Sequence, residues 1–136
     1  MAESLDHLRL VELVIEHIHR VYRPTHAVVV FHDLPGQLGG EKPPRIGGFV
    51  PDIYAVDAPP SIVIVGEAKT EGDLETDHSR RQIVAFLEHV SQQRCGVFIL
   101  AVPWQAFASA KNLVARLGRE LGLHQVTAIV IDDVSG

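Results

Sequence analysis

Three charged residues interrupt an otherwise apolar stretch between residues 46 and 69. Asp52 follows a proline, and Glu67 and Lys69 stand at the end of the apolar run SIVIVGEAK. Burying a charge in an apolar strand is unfavourable unless an opposite charge or a hydrogen bond accompanies it. The three residues therefore either face water where a sheet ends or form a site together.

The turn between these residues determines whether they meet. The segment 58–61, APPS, is typical of a turn, so the strands on either side are predicted to form a hairpin. If the turn is symmetric about its Pro–Pro bond, Asp52 lies directly opposite Glu67, at roughly 5 Å. Glu67 and Lys69 are two residues apart and share a face of their strand. This register predicts that all three side chains converge at one end of the hairpin.

Two opposed carboxylates with an ammonium beside them suit one kind of chemistry. The carboxylates repel each other, and a hard divalent cation such as Mg²⁺ removes that repulsion. An ammonium next to such a cation can position water and offset charge on a phosphate. The three residues therefore indicate metal-assisted hydrolysis of a phosphodiester, with Mg²⁺ or Mn²⁺ as the cation.

The same residues resemble a known motif. PD, followed after the thirteen residues 53–65 by GEAK, is similar to the PD-(D/E)xK motif of the restriction-endonuclease-like nucleases. Asp52 and Glu67 match its two acids, and Lys69 matches its lysine. In members similar to Holliday-junction resolvases and exonuclease domains, a Gln often stands four residues before an aromatic residue in the next helix. Gln82 and Phe86 resemble that pair, with Phe where Tyr is common.

The resemblance implies roles for these residues and for two others. Asp52 and Glu67 would hold the metal, with the Ala68 carbonyl as a further ligand, and Lys69 and Gln82 would complete the catalytic group. Some members also bring an acid from the first helix to the metal. Glu12 and Glu16 are the candidates here, and Glu12 is preferred because it lies closer to the predicted buried face. A solvated helix edge is the alternative interpretation for both.

The periodicity of the chain predicts an α/β fold with the order αβββαβαβ. Helices are expected over 4–22, with Ser4 as N-cap, over 77–92, with Thr76 or Asp77 as cap, and over 104–121. The apolar face of the first helix is predicted to contain Leu8, Val11, Ile15, Ile18 and Tyr22. Strands are expected over 26–32, 46–57, 61–69, 95–102 and 125–131. This order predicts a mixed sheet with helices on both faces, and over residues 4–102 it is similar to the αβββαβ order of the restriction-endonuclease-like fold, which the resemblance implies.

The charge distribution bears on the partner. The net charge of −5 argues against nucleic acid, but residues 78–119 hold six Lys/Arg and one acid, whereas the rest of the chain sums to −10. The Gly/Pro-rich loop 33–45 adds two cations that could close over a substrate, and the second helix begins with a histidine and two arginines. The predicted nucleic-acid contacts are Lys42, Arg45, His78, Arg80 and Arg81.

Length and composition set the remaining expectations. The 136 residues, 46% of them hydrophobic, suggest one domain over 1–136. No signal peptide or membrane span is predicted, and the lone Cys95 is expected to be a buried thiol in a reducing compartment, so the cytoplasm is the expected location. The eight histidines show no zinc-ligand spacing, and no Ser-His-Asp pattern is present.

These observations lead to a metal-dependent nuclease that acts on nucleic acid, with DNA as the favoured substrate. A non-catalytic module on the same scaffold, binding nucleic acid or protein, is the alternative that the overall acidity favours. Metal-dependent hydrolysis of another substrate also remains open. The resemblance further suggests pairing as a homodimer.

Overall fold

The computed structural model describes residues 5–34, 41–123 and 125–134. Its centre is a five-stranded sheet in which the strands lie in sequence order. The first three strands run antiparallel and the last three run parallel, so the predicted mixed sheet is confirmed. The strands are β1 (Val29–His32), β2 (Ile53–Val56), β3 (Val63–Ala68), β4 (Gly96–Val102) and β5 (Thr127–Asp132).

Helices cover both faces of this sheet. The α1 helix (Leu5–Val21) packs on one face, and α2 (Asp77–Ser91) and α3 (Phe107–Glu120) pack on the other. The order differs in detail from the prediction because a short 3₁₀ helix, Trp104–Ala106, separates β4 from α3. Thr76 caps α2 as predicted, since its hydroxyl oxygen accepts a hydrogen bond from the Ser79 N–H at 3.1 Å. Ser4, the predicted cap of α1, lies outside the described residues.

Alternate residues of the central strands supply two hydrophobic cores. In β3, Ile64 and Ala68 pack toward α1, whereas Val63 and Val65 pack toward α2 and α3. In β4 every residue from Val97 to Val102 is buried, as expected for a strand covered on both sides. The end of β3 therefore lies between two packed layers, which exclude water from side chains there.

The α1 helix buries a different face from the one predicted. Val11 and Ile18 belong to both faces, but the structure also buries Leu10 and Val14, while Leu8, Ile15 and Tyr22 are only partly buried. At 3.6 residues per turn the two faces differ by roughly 65°. The observed stripe continues to His7, three and four residues before Leu10 and Val11, and leaves Glu12 and Glu16 exposed.

The second strand is shorter than predicted because its first part reverses direction. Gly47 and Gly48 have φ values of 56° and 88°, a conformation that residues with a Cβ rarely adopt. Their turn joins Ile46 to Phe49 through two backbone hydrogen bonds of 2.6 and 2.9 Å. Strand β2 begins only at Ile53, after Pro51, so Asp52 stands just outside the strand.

The predicted register of the β2–β3 hairpin is confirmed. Ile53 pairs with Gly66 and Val56 pairs with Val63, which continues to Asp52 opposite Glu67. Asp57 secures the turn: its carboxylate accepts hydrogen bonds from the Ser61 N–H at 2.7 Å, the Ile62 N–H at 3.0 Å and the Ser61 hydroxyl. These hydrogen bonds lower the pKa of Asp57 to about 2.

The prediction of a buried thiol at Cys95 is wrong. The residue is exposed, because β4 begins only at Gly96 and Cys95 belongs to the turn before it. Its carbonyl oxygen accepts a hydrogen bond from the Val63 N–H at 2.9 Å, so the backbone of Cys95 extends the sheet. In the described parts of the chain, no helix has both the length and the apolar character needed to span a membrane.

Asp57→Asn is expected to lower Tm by a few degrees near neutral pH, because the ionised carboxylate is the acceptor in the turn. The pKa of Asp57 is about 2 in the folded state, below its ordinary value of 3.8. The stability that the ionised Asp57 carboxylate contributes is therefore complete above pH 3.8. It is lost as pH falls through about 2. Thermal unfolding followed by circular dichroism should show the wild-type and variant curves converging at acid pH.

Asp73→Asn is the matched control, since Asp73 is an exposed acid whose carboxylate accepts a hydrogen bond from the Thr70 hydroxyl at 2.8 Å. A Tm difference between wild type and Asp57→Asn that stays constant down to acid pH would contradict this role of Asp57.

Candidate active site

Glu67 and Lys69 are ionisable residues buried at the carboxyl end of β3. Their exposed fractions are 3% and 8%. Both side chains lie on the side of the sheet that α2 covers, because they are two residues apart and alternate with Gly66 and Ala68. The Lys69 ammonium lies 3.4 Å from Glu67 Oε2. The ion pair explains how an apolar strand end accommodates both charges.

Asp52 joins this pair from the neighbouring chain segment. Its backbone N–H donates to Glu67 Oε1 at 3.0 Å, and its own carboxylate accepts from the Ala68 N–H at 2.9 Å. The Asp52 charge also raises the pKa of the Glu67 carboxyl group. The predicted convergence of Asp52, Glu67 and Lys69 is therefore confirmed, and their roles stay a prediction.

Gln82 of α2 extends the cluster, as the resemblance implied. Its Oε1 accepts a hydrogen bond from the Lys69 ammonium. Phe86, one turn later, is fully buried against the sheet and anchors this part of the helix. The Lys69 ammonium has three N–H donors. Among the described residues Gln82 accepts a hydrogen bond from it, and Glu67 forms an ion pair with it at 3.4 Å. At least one N–H is therefore left for water or a substrate.

His7 is the site residue that sequence reasoning missed. Its Nε2 lies 3.3 Å from Asp52 Oδ1, and its side chain is only 18% exposed. The signal was present in the sequence, since His7 continues the spacing of Leu10, Val14 and Ile18. The predicted apolar face of α1 lies too far round the helix, on the side of Glu12, and therefore does not include His7.

The two carboxyl groups have pKa values shifted in opposite directions. Burial raises the pKa of Asp52, but hydrogen bonds with His7, Glu67 and the Ala68 amide outweigh it, so the net shift is downward. Burial and the Asp52 charge raise the pKa of Glu67 well above its ordinary value, although Lys69 opposes this. Asp52 therefore ionises first, and Glu67 retains its proton to higher pH.

Gly66 permits the close approach of α1 to this site. A Cβ at residue 66 would lie 2.6 Å from Val14 Cγ1, which is too short for a carbon–carbon contact, and 3.2 Å from Ile53 Cβ, which is tighter than most such contacts. The glycine between Val65 and Glu67 thus allows α1 to pack directly on β3. That packing brings His7 to Asp52.

The donor set fits a hard cation that keeps much of its water. No group of three or more His, Cys, Asp or Glu side chains that could hold a metal occurs among residues 5–34, 41–123 and 125–134. Mg²⁺ typically takes one or two protein carboxylates and fills its remaining positions with water. Asp52 and Glu67 are such a pair. Asp52 also borders a cavity of about 220 Å³, which Asp33 and Pro51 line as well and which has room for water.

The remaining predicted metal ligands are placed differently. Glu12 is exposed, and His7 is the α1 residue that contacts Asp52. Ala68 is buried, and its N–H is bonded to Asp52. The predicted role of the Ala68 carbonyl stays a prediction.

The predicted nucleic-acid contacts are all exposed residues. Lys42 forms an exposed ion pair with Asp33 at 3.9 Å, and Arg45 donates to the Gly48 carbonyl at 2.9 Å. The central part of their loop, residues 35–40, lies outside the described residues. The three predicted contact residues of α2, His78, Arg80 and Arg81, occupy its first two turns. His78 packs against the Phe49 ring at 5.5 Å, Arg81 pairs with Asp77 at 3.5 Å, and Arg80 is exposed.

No protein-family model, curated protein or solved structure was found to match this chain.

Gly66→Ala is expected to destabilise the fold by about 1–3 kcal/mol, because the new methyl group overlaps Val14. Removing the Val14 methyls should relieve the overlap, so Gly66→Ala/Val14→Ala should be less destabilised than the sum of the single variants. Urea unfolding of all four proteins measures the coupling. Gly72→Ala is the control, since a Cβ there meets nothing within 4 Å. Strictly additive effects would contradict the close contact.

Glu67→Gln is expected to stabilise the metal-free protein increasingly as pH rises. The pKa of Glu67 is raised in the folded state. The stability that the protonated Glu67 side chain contributes is therefore complete below the ordinary pKa of 4.5 and is lost as pH rises above it. Glutamine keeps an acceptor for the Asp52 N–H and does not titrate. Thermal unfolding in EDTA should therefore show a Tm difference between variant and wild type that widens above the ordinary pKa.

Glu75→Gln, which changes an exposed acid in the loop before α2, should show no such widening. Parallel Tm curves for wild type and Glu67→Gln across this range would rule out a raised pKa at Glu67.

Proposed function

We propose that this protein is a metal-dependent nuclease that hydrolyses phosphodiester bonds of nucleic acid, with DNA as the favoured substrate. The observation that carries the proposal is the contact between the partly buried Asp52, whose N–H donates to Glu67 Oε1 at 3.0 Å, and the buried Glu67, with Lys69 3.4 Å from Glu67. An inert ion pair needs only one acid for one lysine. A second acid that raises the pKa of the first is useful where a cation binds between them.

The order of the elements supports a restriction-endonuclease-like fold. A helix precedes an antiparallel three-stranded unit, and the next helix leads to a parallel strand beside β3. Within that arrangement the first acid precedes β2, the second acid ends β3, and Lys69 follows it. This is the arrangement that the resemblance to PD-(D/E)xK nucleases implies for the motif.

Asp52 and Glu67 are the residues that would hold Mg²⁺ or Mn²⁺. When bound, such a cation supplies Lewis-acid stabilisation of the charge on the phosphoryl group. His7 and the Ala68 N–H fix the orientation of the Asp52 carboxylate by occupying one site on each oxygen. The Asp52 backbone N–H does the same for Glu67, so both carboxylates are positioned before a substrate arrives.

Lys69 is the residue placed to act on the phosphodiester itself. Glu67 and Gln82 hold its ammonium and leave an N–H to orient the attacking water or to stabilise the charge of the pentacoordinate transition state. The water oxygen forms a bond to phosphorus while the bond to the leaving oxygen breaks. The leaving oxygen gains a proton, and the products are a phosphomonoester and a hydroxyl group. Gln82 is a positioning residue, because it acts through Lys69.

The proposed activity is tested by incubating the protein with labelled single-stranded DNA, duplex DNA, branched DNA and RNA, with Mg²⁺ or Mn²⁺. Wild type should cleave at least one of these substrates. Asp52→Asn and Lys69→Met should each reduce the cleavage rate by at least about a hundredfold, because each removes charge stabilisation from the transition state. Gln82→Ala should reduce it by roughly ten- to a hundredfold.

Lys111→Met is the matched control, since Lys111 is an exposed lysine on α3, and its rate should equal that of wild type. Cleavage that survives both Asp52→Asn and Lys69→Met would come from a contaminant and would contradict the proposal. Nucleic-acid binding without cleavage would favour a non-catalytic binding module instead.

A further inference from the structure

A groove of about 500 Å³ lies beside the proposed site, between α2 and the turn at residues 46–49. Its volume lies within the range of clefts that hold small organic groups, about 300–1,000 Å³. Phe49 and Ile46 line one wall, and Val84 and Ala85 line the other. The turn rests on α2 at one point, since a Cβ at Gly47 would lie 3.0 Å from Ala85 Cβ. We call this feature the α2 groove.

Both walls of the α2 groove belong to segments that also carry the proposed site. Phe49 precedes Asp52 by three residues, a span of at most about 11 Å in a fully extended chain. Arg81, which also lines the groove, is adjacent to Gln82, the acceptor for Lys69. The groove is therefore lined by residues that adjoin Asp52 and Gln82 in the chain.

The polar residues of the α2 groove are unevenly distributed along it. Arg80 and Arg81 stand at the end near Gln82, whereas Glu88, His89 and Gln92 stand two to three turns farther along α2. Arg81 has one exposed acidic partner, Asp77, at 3.5 Å, a surface ion pair of the kind that contributes little and can exchange partners. The end near the site thus attracts an anion, and the middle of the groove is apolar and contains an aromatic ring.

We propose, resting on the nuclease function proposed above, that the α2 groove holds an unpaired base of the substrate strand, next to the bond that is cleaved. The base packs against Phe49, and the adjoining phosphate lies on Arg80 and Arg81. Aromatic side chains bind bases of single strands through their ring faces, and cations follow the backbone. In a duplex those faces are already stacked on neighbouring base pairs. The substrate strand is therefore single-stranded where it passes the site.

Binding can be measured separately from cleavage. The probe is a short fluorescein-labelled oligodeoxynucleotide, used as a single strand and as a blunt duplex, with fluorescence anisotropy in EDTA and again with Ca²⁺. Wild type should bind the single strand more tightly than the duplex. Phe49→Leu should weaken single-strand binding by about tenfold, because it keeps an apolar side chain but removes the ring, and Phe49→Trp should restore it.

The arginines are tested through the salt dependence of the same binding. Arg80→Gln/Arg81→Gln should reduce the slope of log Kobs against log salt by about 0.7 for each phosphate that the protein no longer neutralises. Lys111→Gln/Arg119→Gln is the control: it removes the same charge from exposed positions of α3 and should leave the slope unchanged. If Phe49→Leu fails to fold, the arginine variants, which alter only exposed side chains, still provide the test.

Two results would overturn the groove assignment. One is single-strand affinity that neither Phe49→Leu nor Arg80→Gln/Arg81→Gln changes, and the other is an equal reduction of slope in the α3 control. These outcomes are distinct from failure of the proposed nuclease, which would appear as absence of cleavage while the predicted binding pattern is retained.

Discussion

The burial of Glu67 beside Asp52 is the interaction on which the arrangement of the site depends. Burying two acids and one lysine where water is excluded is energetically unfavourable. The surrounding groups offset this cost by hydrogen bonding to, or pairing with, the charged side chains. The Asp52 N–H, the Ala68 N–H, His7 and Lys69 each contact one of the carboxyl groups, and Gln82 holds Lys69 in turn. These groups come from α1, β3, α2 and the segment before β2, so the site forms only when all of them are assembled.

The same assembly explains why a glycine lies next to the buried acid. Glu67 faces α2, so residue 66 faces α1, and only the absence of a side chain there lets α1 approach the sheet. Because α1 lies so close, His7 in its first turn reaches Asp52, just before the start of β2. The packing of α1 against β3 therefore helps to orient the Asp52 carboxylate, although Asp52 belongs to neither element.

Several features could be predicted because they depend on local chemistry. The turn at 58–61 sets the hairpin register. The Asp57 carboxylate accepts hydrogen bonds from the N–H groups of Ser61 and Ile62 at this turn, and no distant contact is needed. The start of α2 followed from the Thr76 cap. Predictions failed where the exposure of a residue depends on how its segment packs against a neighbouring element. The exposed thiol of Cys95 depends on where β4 begins, and the buried face of α1 depends on which side meets β3.

The sequence by itself determined the α/β class and mixed sheet, the register of the hairpin and the identity of the three charged residues that converge. These depend on hydrophobic periodicity and turn chemistry, which act over a few residues. Only the tertiary structure decided that His7, rather than Glu12, contacts Asp52, and that a groove lies between α2 and the 46–49 turn. The rotation of a helix about its own axis is set by packing against a distant strand. An amphipathic helix with apolar residues on nearly half its circumference does not specify that rotation to within one residue.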